Sequence, residues 1–188
     1  MTERPSVVGI CGSLRDESYT RIAITHALDA AEGAGAETTL IDLRTWDLPL
    51  FDPDDRDRGD ATQLKEVVGE AHGIILGTPV YHGMVSSGLK NAFDYLGKDE
   101  FSGTVVGLLA TAGGGTYGQT LEHLRTGVRT VHGWTLPHEV GIRGASSAIE
   151  NGEFVDADIQ ARVETLGRMV AEHAPVNEAG PQRIAADD

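Results

Sequence analysis

Cysteine is almost absent: Cys11 stands alone among 188 residues. A single thiol makes no internal disulfide and no four-cysteine zinc site, so the fold must rest on burial. A chain of this length is enough for one domain that buries about 70% of its unfolded surface without a staple. Lysine is nearly as scarce, with only Lys65, Lys90 and Lys98 beside twelve arginines, and 15 basic residues face 29 acidic ones for a net charge of −14. A surface of that sign repels phosphate backbones and anionic lipid, which argues against nucleic acid or membrane as a partner. No apolar run approaches the roughly 18 residues of a membrane span, and the opening MTERPSVVGIC lacks the apolar core of a signal peptide. The expectation is a soluble, cytoplasmic protein. An acidic, lysine-poor surface further suits a salt-rich cytoplasm, in which fixed carboxylates hold water and self-repulsion is screened; an ordinary acidic mesophilic protein is the plainer alternative.

What is present is an alternation of short apolar runs with amphipathic stretches. Ser6–Cys11 (SVVGIC), Thr38–Leu43, Gly73–Thr78 (GIILGT), Thr104–Thr111 (TVVGLLAT) and the more weakly marked Trp134–Val140 read as strands. Helical spacing runs from Ser18 to the glycine stop at Gly33 and Gly35, and again over Ala61–Ala71, Ser86–Leu96, Gln119–Val131 and Asp156–Ala174. Between Arg44 and Asp60, prolines and five aspartates from Asp52 onward forbid regular structure. Five strands alternating with five helices predict a three-layer α/β domain over residues 1–174, its parallel sheet covered on both faces. The last fourteen residues, 175–188, lack large apolar side chains and read as a flexible tail. Right-handed crossovers leave two common windings, flavodoxin-like 2-1-3-4-5 or a Rossmann variant, and either binds ligands at the carboxyl ends of its strands.

The loops leaving three of those strands carry the chemistry. Gly12–Ser18 (GSLRDES) opens a helix, so its backbone N–H groups and the helix dipole converge on an anion site. Ser13, Ser18 and Thr20 add hydroxyls and Arg15 a guanidinium fork, a set suited to one terminal phosphate. An ordinary helix cap beside a solvated arginine is the plainer alternative. A Walker loop is excluded because no lysine precedes Ser or Thr, and a cysteine-phosphatase loop because Glu17, not an arginine, stands six positions after Cys11. In the second loop Pro79 and Gly83 shape a turn from which Tyr81 and His82 project, an aromatic beside exposed amides that suits a flat heterocycle. His82 reads either as a proton donor or as a surface histidine. The third loop, TAGGGTYGQ, spells G-x-G-x-x-G at Gly113, Gly115 and Gly118. That pattern fits a nicotinamide-binding Rossmann dehydrogenase, yet its strand is the fourth, and the same glycines let amides approach the edge of a flavin. No G-x-S-x-G or H-E-x-x-H is present, and the histidines show no metal-like spacing.

Together the three loops resemble the NADPH-dependent FMN reductase family of flavodoxin-like flavoproteins. Gly12, Ser13, Arg15 and Ser18 match its G-S-x-R-x-x-S-x-N phosphate loop, with Thr20 in the place of Asn. Pro79, Tyr81, Leu89, Lys90, Asn91 and Asp94 match its second motif, while Val80, His82 and Met84 depart from the usual Glu, Asn and Ser. The resemblance covers about residues 5–170 and implies the 2-1-3-4-5 sheet and bound FMN. Ser13, Arg15, Ser18, Tyr19 and Thr20 would hold the phosphate end. Pro79, Val80, Tyr81, His82 and Gly83 would meet the ring from one loop, and Thr111, Ala112, Gly113, Gly114 and Gly115 from the other. The implied activity is hydride transfer from NADPH or NADH through FMN to a flavin, quinone or similar acceptor, with no catalytic side chain and no metal. A flavodoxin-like electron carrier without a nicotinamide site is the alternative. The family habit further implies a homodimer or homotetramer. In this sequence the helix Ser86–Leu96, with Phe93, Tyr95 and Leu96, is a candidate contact, and the same residues read equally well as core.

Overall fold

The computed structural model describes residues 4–174. Its main sheet is built from β1 (Ser6–Cys11), β2 (Glu37–Asp42), β3 (Gly73–Pro79), β4 (Val105–Ala112) and β5 (Trp134–Arg143). All neighbours pair in parallel, in the order β2-β1-β3-β4-β5, which is the flavodoxin-like winding. The crossovers are α1 (Tyr19–Gly33), α2 (Ala61–Gly69), α3 (Ser87–Tyr95) and α5 (Gly118–Thr130), with α7 (Ala157–His173) closing the described chain. Two single-turn helices, α4 (Lys98–Phe101) and α6 (Ala145–Ala148), and a small antiparallel hairpin, β6 (Ile149–Glu150) with β7 (Glu153–Phe154), complete the inventory. No described helix is long and apolar enough to cross a membrane. The tail expected at 175–188 lies outside the described residues.

Side-chain alternation divides the interior into two cores, one on each face of the sheet. Ile74 and Leu76 of β3 join Leu64 and Val68 of α2, Leu89 of α3 and Leu121 and Leu124 of α5 on one face. Ile75, between them in sequence, points the other way to Ile24 of α1 and Leu166 and Val170 of α7. Because β1, β3 and β4 are covered on both faces, they read as near-continuous apolar runs, which is why the sequence marks them so clearly.

Several features differ from the sequence expectation. β2 begins one residue earlier and ends one earlier than Thr38–Leu43, because Leu43 pairs beyond the ladder, donating to the Cys11 carbonyl from the turn. β5 runs three residues past Val140 to Arg143, and its pairing with β4 skips where Pro137 interrupts it. Proline is tolerated there because β5 is an edge strand, and the irregularity hides its alternation. α4 and α6 escape periodicity because one turn is too short to show it. The hairpin escapes because its strands are two residues each, joined at Asn151 (φ 53°) and Gly152 (φ 88°).

Candidate functional site

β1, β3 and β4 end side by side, so the loops that follow them meet at one edge of the sheet, and short hydrogen bonds fix their spacing. The Gly12 N–H donates to Gly77 at 2.8 Å and the Val80 N–H to Thr111 at 2.8 Å. Ser86, the N-cap of α3, accepts from the Leu89 N–H at 3.2 Å while its hydroxyl donates to the Gly12 carbonyl at 2.7 Å, locking α3 to the first loop. The hydroxyls of Thr20 and Thr111 lie 2.6 Å apart in full burial, joining the start of α1 to the end of β4.

Above these ties opens a cleft of about 370 Å³, lined by Ser13, Arg15, Glu17, Ser18, Tyr19, Thr20, Pro79, Val80, Tyr81, Thr111, Ala112, Gly113, Ala145 and Ser146. The floor is a row of buried hydroxyls: Ser13, Ser18, Thr20 and Thr111. Ser18 caps α1 by accepting from the Arg21 N–H at 3.1 Å, and its side chain also hydrogen-bonds Cys11 beneath. The other first-turn N–H groups of α1 have no intrahelical acceptor. Arg15 is the one cation in the lining and Glu17 the one anion. The neighbouring Arg21 is held back by Asp42 at 3.1 Å, and Arg44 by Asp16.

The donor set fits a phosphate at one end and a flat ring at the other. Hydroxyls, helix N–H groups and a free guanidinium converge at the first loop. At the third loop, a Cβ built on Gly113, Gly114 or Gly115 meets nothing within 4 Å, so nothing in the chain itself requires glycine there. The space those missing side chains leave is room for a ligand. Cys11 lies beneath the first loop, fully buried. Burial pushes its thiol above the ordinary value of 9.0; the Ser13 backbone pulls it down, Asp42 adds to the rise, and Ser18 and Arg21 pull weakly the other way. It is a neutral packing residue rather than a nucleophile.

Of the residues singled out by sequence, His82, Gly83, Gly114 and Gly115 are not in the lining. His82 (φ 54°) and Gly83 (φ 75°) form the tip of a two-residue hairpin closed by paired backbone hydrogen bonds of 3.1 and 2.9 Å between Tyr81 and Met84. That turn presents Tyr81, half-exposed, to the cleft and carries His82 past it. Three lining residues went unnoticed: Glu17, Ala145 and Ser146. The last two follow β5, whose carboxyl end joins the same sheet edge, in a loop whose residue types carry no recognisable binding code. Asn91 has a structural task. Its side chain accepts from the Phe51 N–H at 2.9 Å and donates to the Leu48 and Pro49 carbonyls at 3.1 and 2.9 Å, while Lys90 and Asp94 pair with each other at 2.5 Å. Among the described residues no group of three or more His, Cys, Asp or Glu could hold a metal ion.

Comparison with known proteins agrees with this geometry. The sequence profile of the NADPH-dependent FMN reductase family matches residues 5–147. The chain is 35% identical over 151 residues to an NADPH azoreductase of Bacillus sp. (strain OY1-2), covering 79% of this chain and 81% of that protein. It is 32% identical over 162 residues to an FMN-dependent NADPH-azoreductase of Staphylococcus aureus (strain USA300), covering 81% and 86%. Among solved structures, the apo form of an NADH:FMN oxidoreductase shares the fold with a TM-score of 0.76 at 19% identity, covering 94% of each chain.

Proposed function

The chain belongs to the NADPH-dependent FMN reductase family, and from that premise we propose that it is an FMN-dependent NAD(P)H oxidoreductase that reduces a small acceptor. One observation carries the reading: a single cleft draws buried hydroxyls and a free arginine from the first loop and glycine-lined space from the third. In this reading Ser13, Ser18 and Thr20 donate hydroxyl hydrogens to the FMN phosphate, with Arg15 supplying charge and Tyr19 walling the site. Pro79, Val80 and Tyr81 flank the ring on one side, and Thr111, Ala112 and Gly113 on the other. His82, Gly83, Gly114 and Gly115 then act through the shape of their turns.

FMN held by these residues would supply the redox chemistry, hydride acceptance and electron delivery, that no side chain of the cleft provides. The protein's share is position and exclusion. The Thr20–Thr111 hydrogen bond holds the phosphate end and the ring end at a fixed separation. Glu17, at the exposed rim of a cleft meant for an anion, narrows entry to a ligand that brings its phosphate to Arg15 rather than past it. Tyr81 offers a half-exposed aromatic face to a planar acceptor. Flavins, quinones and azo compounds meet that description, the last suggested by the names of the two relatives. The same reading places the protein in a cytoplasm, a salt-rich one given its charge, and assembles it as a homo-oligomer.

The test is spectroscopic. Purified protein loaded with FMN should show bound-flavin absorption that NADPH bleaches without oxygen and an azo dye or quinone restores. Protein that binds no FMN would refute the reading. Protein that binds FMN but leaves NADPH unoxidised is an electron carrier instead.

A further inference from the structure

The turn that faces the proposed ring site is Tyr81–Met84, and what aims it lies outside the cleft. Residues 79–85 form the loop between β3 and α3, and its two ends close on one side chain. The Thr78 hydroxyl donates to the Pro79 carbonyl at 2.9 Å, where the loop begins, and accepts the Ser86 N–H at 2.9 Å, where it ends. Thr78 is 0% exposed and Ser86 3%, and neither lines the cleft. A single buried hydroxyl therefore staples the base of the loop, using its hydrogen and one lone pair.

Ser86 passes the staple on. Its own hydroxyl donates at 2.7 Å to the carbonyl of Gly12, the residue before Ser13. The approach is tight: a Cβ built on Gly12 would lie 2.8 Å from the Ser86 hydroxyl oxygen and 2.6 Å from the Leu89 Cβ. Capping of α3 does not account for this contact. A cap needs only a side-chain acceptor for the Leu89 N–H, 3.2 Å away, and Asn or Asp supplies one as well as Ser. Packing does not account for Thr78 either, since a valine of the same shape would fill the end of β3 without burying a hydroxyl. On the third-loop side, the Val80 N–H is already held by the Thr111 carbonyl at 2.8 Å. A loop held there alone can swing about that point; the second anchor, at Thr78 and Ser86, removes the swing.

From this we propose that Thr78 and Ser86 are positioning residues for the cofactor. Two buried hydroxyls form a relay from Pro79 through Thr78 and Ser86 to Gly12, and the relay sets the stance of the Tyr81–Met84 turn against the first loop. The proposal rests on the FMN reading above. It adds that the separation between the ring end and the phosphate end is governed by residues that never touch the ligand. The demand on that separation is high, because a displacement of about 1 Å at a reacting centre can cost about a hundredfold in rate.

Thr78→Val removes the staple, keeps the shape and leaves the cap of α3 intact. In the apoprotein, amide hydrogen exchange at Tyr81, Met84 and Ser86 should quicken about tenfold or more while exchange in α5 is unchanged. In FMN-saturated protein the visible absorption of the flavin should shift. With NADPH and an azo dye or quinone, kcat should fall about tenfold or more, the KM for NADPH staying within about twofold. Thr78→Ser keeps the hydroxyl and should restore spectrum and kcat, even where the lost methyl lowers the melting temperature. Ser86→Ala cuts the next link, so combining it with Thr78→Val should cost no more than about twofold beyond the worse single variant. A Thr78→Val protein that melts lower but keeps the original spectrum and kcat would overturn the proposal, as would a Thr78→Ser protein equally impaired or losses that add in the double variant. Unaltered protein that binds no FMN would overturn the FMN reading and the proposal with it, a failure visible before any variant is made.

Discussion

Arg15 sits in the cleft with no ion pair among the described residues, whereas Arg21 and Arg44 are tied to Asp42 and Asp16. An unpaired guanidinium beside Glu17 is a charge held for something that is not part of the chain. Arg15→Ala should therefore weaken FMN binding by about 1.5–3 kcal/mol, roughly 10- to 150-fold in the dissociation constant, with melting of the apoprotein unchanged. Titration of the apoprotein against FMN fluorescence checks this; an unchanged constant would put the phosphate elsewhere. At this scale the sequence was legible where residue type alone sets the chemistry, as for Ser13, Arg15, Ser18 and Thr20. It was not legible where backbone direction decides. His82 looks like a cleft residue by its position after Tyr81, but two consecutive positive φ angles turn it out of the lining.

Elements are held in register by how closely they approach one another, and α1 and α7 approach closest at Gly167. A Cβ there would lie 1.8 Å from the Ala27 carbonyl oxygen and 2.7 Å from its carbon, both backbone atoms that cannot rotate aside. Gly167→Ala should force the two helices apart and destabilise the protein by about 3 kcal/mol or more. Gly33→Ala, at the end of α1 with open space around it, should by contrast leave stability within about 0.5 kcal/mol or improve it. Urea unfolding of both variants makes the comparison, and equal midpoints would show that the crossing relaxes freely. Burial on both faces made β1, β3 and β4 legible as apolar runs, and their order in the chain announced the alternating layers. Partly covered elements were not. β5, at the edge and broken near Pro137, looked three residues too short, and Ala145 and Ser146 follow it in a loop whose residue types announce no chemistry.

For the molecule as a whole, the dominant fact is charge. The chain has 29 acidic residues against 15 basic ones; among the described residues most carboxylates make no ion pair, and the pairs that do form are largely surface pairs worth little each. Folding packs this excess into a smaller volume than the unfolded chain occupies, so self-repulsion opposes the native state and salt should relieve it. Screening sets the expected shape of the response. The Debye length falls from about 10 Å at 0.1 M to about 3 Å at 1 M, so relief among surface carboxylates should be nearly complete by molar salt. The thermal midpoint should climb by several degrees from low salt to about 1 M KCl, at roughly 2–4 °C for each kcal/mol recovered, and then flatten. A continued climb into multimolar KCl would mean that ordered ion and water binding at the carboxylates adds to screening. A midpoint indifferent to salt would mean that the excess charge is spread too thinly to oppose folding, and that the acidic surface answers to solubility alone.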